Sequence, residues 1–225
     1  MPGKNIRTLN GIPLIAYSIK MAERFLNKMG TGIIQLSTDS EDIKEIAALY
    51  GLDTTYTRPK TLAGDETGKV DVMAAALEYA EATHGCSFEY LLDLDISSPL
   101  RTLSDLVEAF ALLEKEKKAL DIFSVNRAGR NPYFNMVELK ESGYFGLVKE
   151  LPARLNTRQS APVVYDMNAS FYIFRRDFFE QGLRSVITES SIIYAMNHIC
   201  FDIDDLDDFR TMECLIENNI IKVDY

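Results

Sequence analysis

Between residues 13 and 125 the apolar residues alternate between helical spacing and short continuous runs, with links of only a few residues, and this pattern restricts the chain to an α/β architecture. Ile15, Ile19, Ala22, Leu26 and Met29 form one stripe of a helix that starts near Pro13 and ends at Gly30. Gly32 to Thr38 reads as a buried strand. Ser40 caps a second helix, with Glu41 and Asp42 in its first turn and Ile43, Ile46, Ala47 and Tyr50 facing inward. Asp53 to Thr57 reads as a short strand, and a loop over 58–68 leads into a helix over 69–83 with Val72, Ala76, Leu77 and Ala80 on one face. Tyr90 to Leu94 is the next strand, followed by a helix carrying Leu103, Leu106, Phe110 and Leu113 and by the strand Asp121 to Val125. These are β-α-β units of a mainly parallel sheet flanked by helices. In such sheets ligands bind beyond the carboxyl ends of the strands.

From 126 to 164 the pattern changes to Gly, Pro, Asn and aromatic residues, with short alternating stretches at Tyr133 to Leu139 and Tyr144 to Val148. This reads as an inserted arm built on a hairpin, within a single domain spanning 1–225. Phe171 to Phe174 returns to the sheet, Arg176 to Glu180 makes a short helix, Ile199 to Ile203 forms a last strand, and a final helix turns Leu206, Phe209, Met212 and Ile216 inward.

Composition removes several functions. The net charge of −10 argues against nucleic acid, and the nearest basic cluster, Lys115, Lys117 and Lys118, sits beside Glu114 and Glu116 at a helix end, where it is solvated. No apolar run approaches the roughly 18 residues of a membrane span, and no secretory signal is visible, so a cytoplasmic location is expected. Cys86, Cys200 and Cys214 are odd in number and widely spaced, and read as buried thiols. The two histidines, His84 and His198, are isolated in sequence, which argues against a zinc site. No G-x-S-x-G nucleophile turn is present.

Several residues stand out as chemistry-bearing. Pro2-Gly3-Lys4-Asn5-Ile6-Arg7 is a basic turn before a helix, with Lys4 and Arg7 suited to phosphate, although only Met1 precedes it where a buried strand normally would. Asp202 and Asp204, two apart on an expected strand, face the same way and suit one hard cation such as Mg²⁺; alternatively Asp204, with Asp205, Asp207 and Asp208, serves only the last helix's N-terminus. Asp95 closes a strand two residues after Asp93, where it is either a ligand or simply a turn former. Arg58, Arg101 and Arg158 lie in loop-like segments, suited to phosphate or carboxylate or else solvated. Lys69 begins a helix, where a cation opposes the dipole unless an anion compensates. Among Tyr165, Asn168, Phe171 and Tyr172, Asn168 is the one whose polar groups suit a sugar better than a core.

Taken in order, eight segments resemble the N-acylneuraminate cytidylyltransferases, also called CMP-sialic acid synthetases. They are Pro2 to Arg7, Pro13 to Tyr17, Ser37 to Ser40, Arg58-Pro59 with Leu62 to Asp65, Ser98 to Arg101, Arg158-Gln159, Tyr165 to Ala169, and Asp202 to Asp204. The resemblance implies a Rossmann-like nucleotidyltransferase fold. It implies that the early turn binds CTP, with Lys4 on the phosphates and Asn5 near the cytosine, and that Arg58, Asp95 and Ser98 complete the nucleotide site. Arg101, Arg158, Gln159, Tyr165 and Asn168 would bind the sugar acid, and Asp202 and Asp204 would hold Mg²⁺. The anomeric hydroxyl of a nine-carbon 2-keto sugar acid would attack the α-phosphorus and release pyrophosphate. The arm would make a homodimer, with Arg158 reaching the partner's sugar site.

The chain departs from the family in two places. Asp95-Ile96-Ser97-Ser98-Pro99 stands where sialic acid enzymes have Gln-Pro-Thr-Ser-Pro, which resembles the legionaminate branch and makes Asp95 a possible metal ligand, as in the related Kdo enzymes. The family also carries a strand and an Arg-x-Gly-Ser-Lys-Gly segment before Pro-Gly-Lys-Asn. The expectation is therefore a shortened enzyme with exposed neighbouring strand edges and fewer phosphate donors. The alternatives are a catalytically impaired nucleotide- or sugar-binding homologue, or a cytidylyltransferase for another acid such as Kdo.

Overall fold

The computed structural model describes residues 3–64, 67–152 and 157–225, without the side chain of Arg158. Pro2 of the basic turn and Asp65 of the 62–65 segment lie outside the described residues. Gly3, at a left-handed φ of 68°, leads into a 3₁₀ turn over Lys4–Ile6. Strands β1 (Thr8–Leu9) and β2 (Ile12–Pro13) then form a small antiparallel hairpin, closed by Asn10 and Gly11, both at positive φ. Helix α1 (Leu14–Met29) starts directly after Pro13 and stops at Gly30, whose N–H donates to Leu26 O. Helix α2 (Glu41–Leu49) is capped by Ser40, whose hydroxyl accepts from Ile43 N.

Helix α3 (Lys69–His84) begins at Gly68 without a side-chain cap. Its buried stripe is Val70, Met73, Leu77 and Ala80; the expected Val72 and Ala76 are only half-buried, because Val70 and Met73 pack on Phe123, Tyr172 and Phe174. Strand β3 (Tyr90–Leu94) has the expected bounds. Helix α4 (Leu103–Lys115) opens with a reciprocal capping box between Thr102 and Asp105. The remaining elements are β4 (Asp121–Arg127), the arm hairpin of β5 (Val137–Leu139) and β6 (Phe145–Leu147), β7 (Tyr165–Arg175), α5 (Arg176–Glu180), β8 (Ser191–Ala195) and α6 (Leu206–Glu217).

The central sheet has the order β3-β7-β4-β8. β3, β4 and β8 run the same way, and β7 runs against them between β3 and β4. The register of β7 on β4 slips where Tyr172 faces Phe123 but Met167 faces Val125, and Ala169 within that bulge has φ 54°. A bulge bends its strand and redirects side chains. Here it turns Asn168 and Ser170 into the interior. Leu14, Tyr17 and Phe25 of α1, Leu106 and Leu113 of α4, and Phe209 and Met212 of α6 cover one face of the sheet. α3 and α5 cover the other, around Phe174 and Phe178.

Three expected strands differ. Gly32 to Thr38 and Asp53 to Thr57 form no ladder; a backbone bond from Arg58 N, just past the second segment, to Thr38 O at 2.9 Å joins their ends. No described strand pairs with either segment, and β3 is an edge of the described sheet. Side chains substitute in part, with Gln35 Nε2 donating to Leu36 O and Arg58 Nη2 to Ser37 O. The last strand is Ser191–Ala195, not Ile199 to Ile203, because the free edge of β4 is taken by the earlier segment in parallel register from Asp121–Ser191 to Val125–Ala195. Cys200 is buried as expected, but Cys86 and Cys214 are exposed, one just past the helix-ending Gly85 and the other on the outer side of α6. Among the described residues no helix is long and apolar enough to cross a membrane.

Candidate active site at the carboxyl end of β3

Asp93 lies on β3 and Asp95 just beyond it, two residues apart and therefore on one side of the strand. Lys69, the first residue of α3, reaches both: its ammonium is 2.9 Å from Asp93 Oδ2 and 3.1 Å from Asp95 Oδ2, and 4.4 Å from the centroid of the Tyr172 ring. A cation is disfavoured at a helix N-terminus. The two carboxylates and the ring face offset that. Burial opposes charge on Lys69, yet Asp93 and Asp95 hold its pKa above the ordinary value. Burial likewise opposes charge on Asp95, but Lys69 and Ser97 hold its carboxyl below the usual range.

Ser97 connects this group to the Asp202 segment. Its N–H and hydroxyl donate to Asp95 Oδ1 at 3.0 and 2.8 Å, while its carbonyl accepts from Ile203 N at 2.9 Å. Ile203 is buried, Asp202 half-buried and Asp204 exposed, so the alternation expected of a strand survives without a ladder. Lys4 Nζ donates to Ile203 O at 2.5 Å and stands 4.0 Å from Asp204 Oδ1. The basic turn and the 202–204 carboxylates thus meet beside the loop after β3. Asp205, next in the chain, caps α6, and Asp208 joins it in a second capping box. The helix N-terminus is thereby served by Asp205, Asp207 and Asp208, so the side chain of Asp204 is not needed for the cap and faces Lys4.

Asp202 Oδ1 is buried and has no hydrogen-bond partner, and burial pushes the Asp202 carboxyl up. A buried carboxylate oxygen without a partner is a costly arrangement that a cation relieves. Asp202 and Asp204 are hard oxygen donors, and Mg²⁺ needs only one or two protein carboxylates, filling its other positions with water and phosphate oxygens. The residues fit that ion. Among the described residues no group of three or more His, Cys, Asp or Glu is arranged around a common point.

Beneath the loop lies a buried polar layer. Arg101 is 1% exposed; Nη1 donates to the carbonyls of Asp95, Ser98 and Ser170 at 2.9, 2.7 and 2.8 Å, and Nη2 to Ser18 Oγ at 2.5 Å. Burial pulls its pKa down to about 10. Ser98, fully buried, donates to Asn168 O at 3.1 Å. Asn168 Oδ1 accepts from Ser124 Oγ and Ser170 N, and its Nδ2 donates to Asn126 Oδ1. Ser98, Arg101 and Asn168 therefore hold the 95–101 loop against the β7 bulge rather than facing solvent.

The other sequence candidates are dispersed. Asn5 is half-buried in the basic turn, and Arg7 lies over the Phe209 ring of α6 at 4.6 Å. Arg58 is tied to Ser37 through Nε and Nη2. Gln159 lines a cavity of about 520 Å³ in the arm with Arg127, Gly129, Asn131 and Pro162, and no carboxylate of the β3 site borders it. Tyr165, half-exposed, pairs across the sheet with Arg127. Sequence reasoning passed over Asp93 as a partner of Lys69; its spacing from Asp95 was the available signal. It also passed over a network in which Tyr194 donates to Asp105 and Glu108 while His198 contacts Asp105 at 2.9 Å, which no motif announces.

The mixed sheet flanked by helices is shared with solved nucleotidyltransferase structures, and a family match gives the enzyme class. The sequence matches the family described as Cytidylyltransferase over residues 1–181, and the chain belongs to that family. It is 39% identical over 224 residues to "Post-translational flagellin modification protein B" of Campylobacter coli, covering 99% of this chain and 92% of that relative. It is also 39% identical over 214 residues to "CMP-N,N'-diacetyllegionaminic acid synthase" of Campylobacter jejuni, covering 95% and 88%. A solved structure of CMP:2-keto-3-deoxy-manno-octonic acid synthetase in complex with CTP shares the fold, with a TM-score of 0.64 over 97% of this chain and 93% of that one at 15% identity.

Proposed function

We propose that this enzyme transfers CMP from CTP to the anomeric hydroxyl of a nine-carbon 2-keto sugar acid, of the legionaminic or sialic type, with release of pyrophosphate. The observation that carries the reading is the convergence of Lys4, Asp202 and Asp204 beside the loop after β3. The substrate class is supported by the relative named for CMP-N,N'-diacetyllegionaminic acid synthesis, which aligns with 95% of this chain.

In this reading a bond forms between the anomeric oxygen and the α-phosphorus, the hydroxyl proton passes to water, and the bond from that phosphorus to pyrophosphate breaks. No covalent enzyme intermediate is required. Asp202 and Asp204 would hold Mg²⁺, which when bound would supply positive charge against the triphosphate and the leaving pyrophosphate. The Lys4 ammonium supplies a second positive charge to the phosphates. Asn5, Arg58 and Asp95 border the nucleotide, and Arg158, Gln159 and Tyr165 take the sugar acid. Ser98, Arg101 and Asn168 keep the loop in place, so that the donors are positioned before substrate arrives.

The arm over 126–164 is the homodimer contact in this account. Its hairpin exposes Val137, Leu139, Tyr144 and Phe145, large apolar side chains close in sequence whose cover by a second copy would remove them from water. CTP as a substrate places the reaction in the cytoplasm.

A second reading, binding without turnover, is favoured by one observation: β3 is a sheet edge directly beside the site, and the segment 32–38 has no ladder. Pyrophosphate release from CTP across a panel of sugar acids separates the two. Acid-dependent release supports transfer, and nucleotide binding with no release for any acid supports the second reading.

A further inference from the structure

We propose that Lys69 is a built-in cation standing where a second divalent ion would sit between Asp93 and Asp95, so that the site takes one Mg²⁺ and not two. The inference rests on the reading that Asp202 and Asp204 hold the first ion. The contrast between the two carboxylate pairs carries it.

At Asp93 and Asp95 both Oδ2 atoms are already neutralised by a lysine: Asp95 Oδ2 accepts a hydrogen bond from it, and Asp93 Oδ2, buried and without a hydrogen bond, is held at ion-pair distance. Both Oδ2 atoms contact Lys69 Nζ, at 2.9 and 3.1 Å. Asp95 Oδ1 accepts twice from Ser97, through its N–H and its hydroxyl. The third side of the ammonium is covered by the Tyr172 ring, which β3–β7 pairing sets directly opposite Asp93. Two carboxylates held on one side of a strand repel each other unless a cation lies between them. Here that cation is covalently attached.

Asp202 and Asp204 have no cation at comparable distance. Asp202 Oδ1 is buried without a partner, Asp204 is 81% exposed at its side chain, and the nearest cation, Lys4 Nζ, is 4.0 Å from Asp204 and bonded to a carbonyl. One pair is closed by a lysine and the other is open to an ion. Lys69 also occupies a helix start, where the dipole opposes a positive charge, so its position makes physical sense through the carboxylates it joins. An ammonium supplies one positive charge where a divalent ion supplies two, and it cannot be removed by a chelator. Lys69 is thus a positioning residue that fixes Asp95 and the Ser97 turn without metal.

The test counts bound Mn²⁺ by electron paramagnetic resonance on the full chain without substrate, alongside thermal melts. The wild-type chain is expected to bind one Mn²⁺, lost in D202N/D204N. In the D202N/D204N background, K69Q is expected to gain one Mn²⁺ site, to melt lower than its Lys69 counterpart and to recover in millimolar Mn²⁺; adding D95N removes the gained site, and K69R stays closed. The proposal is overturned if D202N/D204N with Lys69 intact still binds Mn²⁺, a measurement that does not depend on K69Q folding. It is equally overturned if folded K69Q/D202N/D204N gains no ion. A wild-type chain that binds no Mn²⁺ while the K69Q chains gain one refutes the Asp202/Asp204 reading and leaves Lys69's role standing.

Discussion

At the scale of single residues, the account rests on polar and charged side chains that range from buried Arg101 to exposed Asp204, and each has a distinct origin. Asp202 and Asp204 were readable from their spacing, because alternation in extended chain needs no ladder. Arg101, Ser98 and Asn168 were readable as chemistry-bearing but not as interior, since their burial follows from a bulge in β7 that has no sequence signature. Replacing Arg101 by Met should cost about 3 kcal/mol, because it leaves the carbonyls of Asp95, Ser98 and Ser170 without their donor; urea denaturation checks this. Asp121 is a second buried charge with no catalytic partner. It accepts from Ser191 Oγ, its other oxygen is unpaired, and burial pushes its pKa up to about 7. The native state therefore holds a proton that the unfolded chain releases near pH 4. Its contribution is most favourable below that point and is lost as pH rises toward about 7, by an amount on the order of 2 to 4 kcal/mol. Asp121→Asn should remove this slope, and stability of the two proteins measured from pH 4 to 8 should diverge with rising pH in favour of the variant.

At the scale of elements, helices were legible nearly to the residue where caps and periodicity agreed. α1 begins after Pro13 and ends before Gly30, and α2 starts at Ser40. Strands were less legible, because a strand is defined by its neighbour as much as by its own residues. β3 and β4 were recognised from apolar runs, whereas Gly32 to Thr38 has a comparable run and forms no ladder. β8 was missed since Ser191–Ala195 was overshadowed by the later Ile199 to Ile203, which instead serves the site through Ile203. Backbone amides of 32–38 and 53–57 should consequently exchange with deuterium orders of magnitude faster than those of β4 and β7. Protection of 32–38 equal to that of β4 would show that the segment has found a partner.

At the scale of the whole molecule, the α/β class and the family were accessible because most of the signature segments lie in loops and turns, where chemistry rather than packing selects the residues, while Pro13 to Tyr17 and Tyr165 to Ala169 belong to α1 and β7. The arm was legible as an excursion, and its exposed Tyr144 and Phe145, 79% and 73% accessible, fit a contact between two copies. Tyr144→Glu with Phe145→Glu should convert a dimer to a monomer in sedimentation analysis while leaving the melting of the central sheet unchanged.

The central claim, CMP transfer at the Lys4–Asp202–Asp204 site, is tested most directly by pyrophosphate release with CTP, Mg²⁺ and a series of eight- and nine-carbon 2-keto sugar acids. The account predicts release that requires a nine-carbon acid and falls at least about 100-fold in the Asp202→Ala, Asp204→Ala protein. Full activity in that variant, preference for a different nucleoside triphosphate, or no release with any acid would contradict it.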